Sequence, residues 1–306
     1  MRTLKTSEAA ALLNVSANTL RAWEERFGYP RPQRSPGRHR LYAYAEIDAL
    51  RGALQEGLSA SSAVSVLRDS VSTDVLALVT ALTSFKRTRA DAVMEASLAI
   101  GSLEHAVDGI LLEALQAVLR RKGATSASWA FALGWATDWL RRTQRLVAVP
   151  DQHGALIIGD ATDGPTDGDA AQMRALELFC ARAGIDTLSL PVRAIGALHE
   201  ALAAIRPDVV VVAGSGPDED VARWIYAVRS ATTVRRVAYF FRPRSYPTPS
   251  RAVSLSASAS EAQRELAAML QEHSVEDELS DLANGRASAA AAPRSGPRAL
   301  DPARAR

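Results

Sequence analysis

A cluster of helix-breaking residues most constrains how the N-terminal part of this 306-residue chain can fold. Two glycines and three prolines lie between residues 28 and 37, and neither residue type continues a helix well. Before this cluster, apolar spacing predicts a helix over 6–13, capped by Thr6 or Ser7, and a second helix from Ser16 to about Arg26. Asn14 and Val15 form the tight turn between them. A short β-ribbon at 39–44 and helices at 45–56 and 59–69 complete a mainly helical, winged helix-turn-helix domain over residues 1–73.

Positive charge is concentrated in this same part of the chain. The whole chain has a net charge of only +2, whereas residues 1–42 contain eight Lys/Arg and three Glu. Such a local excess is typical of a module that contacts phosphate, and the second helix of a helix-turn-helix fits the major groove of DNA. A solvated basic face is the alternative interpretation. The expected DNA contacts on the helix are Ser16, Asn18, Thr19, Arg21 and Arg26, and those on the wing are Arg38, His39, Arg40 and Tyr42.

Two further kinds of periodicity divide the rest of the chain. Apolar residues recur at helical spacing over residues 74–147, which predicts a four-helix bundle at 74–150. From residue 154 onward, short apolar strands such as 209–213 alternate with helices. This alternation is typical of a doubly wound α/β domain with a parallel sheet, which we assign to residues 151–272. Residues 273–306 are rich in Ala, Arg, Pro and Ser without an apolar face, so we expect a disordered tail.

Cysteine content and the N-terminal sequence indicate a cytoplasmic protein. Cys180 is the single cysteine, so no disulfide can form within the chain, and its apolar neighbours predict a buried, inert thiol. The N-terminus lacks the features of a signal peptide, and no run of about 18 apolar residues suggests a membrane span. We expect no membrane partner, and a protein associated with the nucleoid when bound to DNA. The sequence contains no paired acid and base or activated nucleophile, so we predict that it is not an enzyme.

The N-terminal segments LKTSEAA (4–10), VSANTLRAWEERFG (15–28), PRP (30–32) and GRHRLY (37–42) closely resemble the MerR family of winged-helix transcription regulators. The resemblance covers about residues 3–70. It implies a homodimer or higher homo-oligomer bound to a roughly palindromic or repeated operator in double-stranded DNA. By position, it places Thr19 and Arg21 on the recognition helix and Trp23 and Leu41 in the core. It also assigns the wing to Arg38, His39, Arg40 and Tyr42.

The domain order after residue 74 is similar to the light-responsive CarH and LitR type, in which a helical cap covers a cobalamin-binding α/β domain. That type carries Asp-x-His-x-x-Gly before the first helix of the α/β domain. Here Asp167 is retained, but Asp169 and Gln172 replace the histidine and the glycine. Large side chains at 239–241 stand where the family has a Gly-Gly pair, and 122 and 132–133 lack the Trp and Glu-His of the cap. We therefore expect a cobalamin-binding-like fold without the cofactor.

Two interpretations of the C-terminal part remain open. In the first, it senses an unknown small molecule or protein effector, or serves in oligomerisation. In the second, it binds cobalamin through non-standard ligation. The candidate cleft consists of Asp167, Asp169, Gln172 and Ser215, at the carboxyl edge of the sheet where such folds bind ligands. Its Asp-rich loop is either a solvated loop or a cation or small-molecule site, and we predict no metal. Trp129, Trp135 and Trp139 either form a helix core or line an effector pocket.

Overall fold

The structure is a computed structural model that describes residues 3–34, 39–147, 154–164, 166–231, 234, 236–241 and 252–271. The expected wing contact Arg38 and the expected tail at 273–306 lie outside the described residues. The described part forms an N-terminal domain, a helical bundle and an α/β domain, in that order along the chain. The predicted architecture is therefore confirmed at the level of element type and order.

The N-terminal domain combines three helices with a three-stranded antiparallel sheet in the order β1-β3-β2. Its elements are β1 (Thr3–Lys5), α1 (Thr6–Leu12), α2 (Ala17–Phe27), β2 (Gln33–Arg34), β3 (Arg40–Ala43) and α3 (Tyr44–Gln55). The predicted helices and ribbon are present, and β1 is an additional strand that pairs Leu4 with Tyr42. Leu20, Ile47 and Leu50 are fully buried in the core of this domain, and Trp23 packs against it.

Of the two predicted N-terminal helix caps, the structure confirms that of α2 and corrects that of α1. The hydroxyl of Ser16 accepts a hydrogen bond from the backbone N–H of Thr19 at 3.0 Å, which confirms Ser16 as the cap of α2. The cap of α1 is Lys5 rather than Thr6 or Ser7, because the chain leaves β1 directly into the helix. Its backbone N–H donates to the Glu8 carboxylate at 2.7 Å. A side chain three residues into the helix therefore satisfies the free N–H group.

One helix connects the N-terminal domain to the bundle. This helix, α4 (Ala60–Thr83), runs through the expected boundary between residues 73 and 74. Its start contributes Ala63 and Val64 to the N-terminal core, and its end contributes Leu78 and Leu82 to the next core. The remaining bundle elements are α5 (Arg87–Ile100), a π-helical segment (His105–Leu111), α6 (Leu112–Lys122) and α7 (Ala127–Leu146). The C-terminal half of α4 packs with these elements as a four-helix bundle.

The α/β domain is a five-stranded parallel sheet with helices on both faces. The strands, in the order β5-β4-β6-β7-β8 across the sheet, are β4 (Gly154–Asp160), β5 (Ile185–Pro191), β6 (Val209–Ala213), β7 (Arg236–Phe240) and β8 (Ala252–Ser254). The helices are α8 (Asp169–Arg182), α9 (Ile195–Ile205), α10 (Asp218–Ser230) and α11 (259–271). The doubly wound sheet is confirmed, and β8 is an edge strand that the sequence did not predict.

Alternate residues of the central strands face two separate cores. On β6, Val209 and Val211 lie with α8, α11 and the bundle in one cluster, while Val210 and Val212 lie with α9 and α10 in the other. Every residue of β6 is buried, as a strand covered on both faces requires. The bundle therefore shares one continuous core with one face of the sheet. This packing creates the interface at which a cavity lies.

Candidate DNA interface and interdomain cavity

The exposed side of α2 carries three of the five residues predicted to contact DNA from this helix. Asn18, Arg21 and Arg26 are exposed, whereas Leu20 is fully buried on the opposite side. The hydroxyls of Ser16 and Thr19 lie 2.8 Å apart and hydrogen-bond to each other at the helix start. Their side chains are engaged in shaping the helix terminus, so Asn18, Arg21 and Arg26 are the predicted contact residues of this helix whose side chains the fold leaves exposed and unengaged there.

The carboxylate of Glu24, in the second half of α2, ties the wing strand β3 to this helix. Glu24 accepts from Arg40 Nε at 3.0 Å, and from the Tyr42 hydroxyl at 3.2 Å. Pairing with β3 leaves the Glu24 side chain only 23% exposed. The Arg40 side chain keeps about a third of its surface exposed, at 34%. It is therefore both a link between helix and wing and a partly accessible cation.

Tyr42 does not contact DNA through its side chain. Its relative exposure is 0%, since β3 lies between β1 and β2 and turns this residue into the domain core. Burial first, and then the nearby Glu24 carboxylate, raise the pKa of the Tyr42 hydroxyl above its usual value. The prediction of a DNA contact there is corrected: Tyr42 supports the wing from beneath. His39 is exposed directly before β3, and its contact with DNA stays a prediction.

A half-buried carboxyl behind the wing, that of Glu46, was not predicted from the sequence. Glu46 Oε1 accepts from the backbone N–H of Arg31 at 2.9 Å, and the Tyr29 hydroxyl donates to the Glu46 carbonyl at 3.4 Å. Burial raises the pKa of Glu46 from 4.5 to about 7, although Arg31 lowers it in part. The sequence shows Glu46 as an ordinary acid in the first turn of α3, and only the packing of the Tyr29–Arg31 segment over α3 encloses it.

The candidate cleft residues Asp167, Asp169 and Ser215 do come together at the carboxyl edge of the sheet. Asp169 Oδ2 accepts from the backbone N–H of Ser215 at 3.0 Å and from its hydroxyl at 2.7 Å. Asp167 accepts from the backbone N–H groups of Asp169 at 3.0 Å and Asp163 at 2.8 Å. These carboxylates hold the loops of the protein itself. Among the described residues, no group of three His, Cys, Asp or Glu side chains is placed to hold a metal ion.

A cavity of about 310 Å³ lies between α6, α7 and the start of α8, beside this cleft. The indole N–H of Trp129 donates to the Thr166 carbonyl at 2.8 Å, which fixes the ring at the cavity wall. Gln172, from the first turns of α8, is 93% buried, and its Oε1 has no hydrogen-bond partner among the described residues. The lining residues are Leu112, Leu115, Gln116, Leu119, Arg120, Trp129, Gly168, Asp169, Ala171, Gln172 and Phe241.

The three tryptophans of α7 divide between the two expected roles. Trp135 and Trp139 are buried in the core of the bundle, and the Trp135 indole N–H donates to Asp91 at 3.0 Å. Trp129 is equally buried but lines the cavity. Cys180 is fully buried as predicted, and burial raises the pKa of its thiol.

The residues around this cavity do not fit cobalamin. The carboxylate of Asp169, at the position of the axial histidine, is occupied by Ser215, and a hard oxygen donor is a poor substitute for imidazole. Phe240, at the Gly-Gly position, is fully buried in the shared core and fills the place where a nucleotide tail needs bare backbone. The cavity volume of about 310 Å³ is at the lower end of the range for pockets that hold drug-sized ligands. A corrinoid with its nucleotide tail is much larger than such a ligand.

Comparison with known proteins decides the identity of the N-terminal part. Residues 5–42 match the family described as MerR family regulatory protein. The chain carries a MerR-family domain at its N-terminus. The matched residues contain α1, α2, β2 and most of β3, so the expected family resemblance is confirmed for this part of the chain.

The curated relatives match a limited part of this chain. The HTH-type transcriptional repressor CarA of Myxococcus xanthus is 39% identical over 71 residues, which cover 22% of this chain and 25% of that protein. The HTH-type transcriptional regulator MlrA of Escherichia coli K12 is 48% identical over 44 residues, which cover 14% and 18%. The chain thus matches a quarter or less of the length of these relatives. Both are named as transcriptional regulators, not as enzymes.

A solved structure, the methanol:cobalamin methyltransferase complex MtaBC from Methanosarcina barkeri, aligns with 65% of this chain and 80% of its own, at 11% identity and a TM-score of 0.31.

No helix in the described part of the chain has the length and apolar character needed to cross a membrane.

Proposed function

We propose that this protein is a sequence-specific, DNA-binding transcription regulator that acts as a homodimer or higher homo-oligomer on double-stranded DNA. The observation that carries the proposal is the exposed row of Asn18, Arg21 and Arg26 on α2, beside the wing of a MerR-type domain. Phosphate contacts from the wing would fix the position of the domain, and contacts from α2 to base edges would supply sequence choice. Its place of action is then the nucleoid in the cytoplasm.

The C-terminal part is the sensor in this proposal, and it works without cobalamin. Two features support this role. Helix α4 is shared between the N-terminal core and the bundle, so a change in bundle packing has a rigid path to the DNA-binding domain. The cavity lies at the interface between the bundle and the sheet, where a ligand would contact both. The effector in this proposal is a small molecule or a protein partner.

Arg21 gives the sharpest test of the DNA-binding role. Operator sequences are selected from random double-stranded DNA with the wild-type protein, and affinities are then measured by fluorescence anisotropy at fixed salt. Arg21→Ala should weaken operator binding by about ten- to a hundredfold, because the side chain contacts a base edge or a phosphate. If Arg21 contacts a base, the variant also loses sequence preference at one position.

Arg229→Ala is the matched control, since Arg229 is an exposed arginine in the last turn of α10, far along the chain from the MerR domain. It removes the same charge and should leave operator affinity within about twofold, which is below ~0.5 kcal/mol. Equal binding by wild type and Arg21→Ala, or an equal loss in both variants, would show that α2 is not the recognition helix.

A further inference from the structure

The guanidinium of Arg40, on the wing strand β3, is held at one position only. Its Nε–H is shared between the two carboxylate oxygens of Glu24, at 3.2 Å and 3.0 Å. In the described part of the chain its two terminal amino groups form no hydrogen bond, and the side chain is 34% exposed. A guanidinium is planar and its N–H groups point in fixed directions. An acid that holds Nε therefore also sets the directions of the terminal N–H groups.

Glu24 can orient Arg40 because its own position is fixed. It lies in the second half of α2, and its side chain is only 23% exposed. The hydroxyl of Tyr42, a residue with no exposed surface, donates to Glu24 Oε2 at 3.2 Å. The acid is thus anchored between α2 and the domain core. Because the Glu24–Arg40 pair has no net charge, what it offers to DNA is the direction of its N–H groups.

We propose that Glu24 is a positioning residue for DNA binding, which directs the terminal amino groups of Arg40 toward one phosphate of the DNA backbone. The inference rests on the proposed DNA-binding function and adds an acid to the residues on which that function depends. Parallel N–H groups of a guanidinium match the oxygens of a phosphate, and this fit requires one orientation of the group. Without Glu24, the Arg40 side chain is ordered only when DNA binds, and this ordering lowers the affinity.

This role predicts the opposite sign from charge alone. A carboxylate on a DNA-binding helix repels phosphates, so its removal should strengthen binding or leave it unchanged. Glu25, the next residue of α2, is exposed and forms no hydrogen bond or ion pair with another described residue. Removal of Glu25 should therefore follow charge alone, whereas removal of Glu24 should weaken binding because Arg40 loses its orientation.

The measurement is the affinity of the full-length protein for its selected operator, by fluorescence anisotropy at fixed salt. Glu24→Ala should weaken binding by about three- to tenfold, which corresponds to ordering one long side chain on binding. Glu25→Ala is the matched control and should leave the affinity unchanged or raise it. Equal effects of the two variants, or tighter binding by Glu24→Ala, would overturn the proposal.

A double-mutant cycle separates positioning from a loss of stability. Glu24→Ala also removes the acceptor of the Tyr42 hydroxyl, so it should lower the thermal unfolding midpoint. If Glu24 acts through Arg40, adding Glu24→Ala to Arg40→Ala should cause no further loss of affinity. A loss of the same size in both backgrounds would show that Glu24 only stabilises the domain, which contradicts the positioning role.

Failure of this inference is distinguishable from failure of the proposed function. If the wild-type protein selects no operator, the DNA-binding function itself fails. If operator binding depends on Arg21 while Glu24→Ala and Glu25→Ala behave alike, the DNA-binding function stands and the positioning role of Glu24 is wrong.

Discussion

At the scale of single residues, Glu24 changes the structural role of Arg40 and Tyr42. It pairs with Arg40 and accepts from the Tyr42 hydroxyl, so it converts two residues expected at a DNA surface into a structural link between α2 and β3. Within the described part of the chain, the exposed cations of α2, Arg21 and Arg26, form no ion pair, and we expect these two to reach a phosphate or a base edge. The charge available to DNA is therefore smaller than the count of arginines suggests.

Glu46 makes the MerR domain sensitive to pH. Its pKa is raised to about 7 by burial, compared with 4.5 in an exposed chain, so the neutral carboxyl stabilises the folded state relative to the ionised one. This contribution is fully present below about pH 4.5 and is lost as the pH rises through about 7. Glu46→Gln keeps an acceptor for Arg31 but cannot ionise. We expect it to match wild type near pH 4.5 and to unfold at a higher temperature than wild type above about pH 7.

The measurement is the difference in thermal unfolding midpoint between variant and wild type across this pH range, followed by circular dichroism. Glu25→Gln, at an exposed position of α2, is the control for the loss of one carboxyl from this domain. A difference for Glu46→Gln that stays constant across the range would mean that Glu46 is ionised in the folded protein throughout it.

At the scale of elements, the loops after β4 and β6 interlock. The backbone N–H of Gly216 donates to the Ala161 carbonyl at 2.6 Å, and that of Ala161 donates to Ala213 at 2.8 Å. A Cβ on Gly216 would lie 2.2 Å from the Ala161 carbonyl oxygen, so only glycine fits. The Gly-Ser-Gly-Pro sequence at 214–217 is thus explained by close backbone packing. The acidic first turn of α10 (Asp218, Glu219, Asp220), which follows it, disfavours a bound phosphate.

Two glycine-to-alanine variants with opposite expected signs test this packing. Gly216→Ala should lower the free energy of unfolding by more than about 1 kcal/mol, because two backbone segments must separate to admit the methyl group. Gly134→Ala, on the exposed side of α7 with nothing within 4 Å of the added Cβ, should raise it by roughly 0.5–1 kcal/mol. Denaturant titration measures both. A neutral result for Gly216→Ala would mean that the two loops are not held together in solution.

At the scale of the whole molecule, the bundle and the α/β domain form one unit, and the MerR domain forms another. Polar contacts reinforce the shared core: the Ser258 hydroxyl donates to Asp108 at 2.8 Å, and Arg182 pairs with Glu104. These contacts join the π-helical region to the start of α11 and to the C-terminal end of α8. The cavity lies at the opposite end of α8. The MerR domain has its own core, and α4 contributes to both.

The same scale decides whether a corrinoid can enter. Phe240 is part of the shared core, and Asp169 accepts a hydrogen bond from Ser215. Cobalamin could therefore bind only if Phe240 left the core and this hydrogen bond broke. Purified protein incubated with adenosylcobalamin in the dark and passed through gel filtration should elute without corrinoid absorbance. A stoichiometric corrinoid band, with a change in oligomeric state on illumination, would instead support the light-responsive alternative.

The sequence by itself determined the order and type of the major elements, because apolar periodicity and glycine or proline breaks act locally. It also determined the MerR character of residues 5–42, where residue types and spacing match a family. It missed β1 and β8, since three-residue strands are too short to show a period, and it placed a boundary inside α4, where no local break exists.

Tertiary structure decided which side chains are free to act. Whether Glu24 faces solvent or the wing depends on β3, because Arg40 of that strand is 16 positions away in sequence but adjacent in space. The burial of Glu46 depends on the chain that passes over it, and the unsatisfied oxygen of Gln172 depends on how α6 and α7 pack against α8. The availability of a polar group is set by all of its neighbours together, and these neighbours are assembled only when the chain is folded.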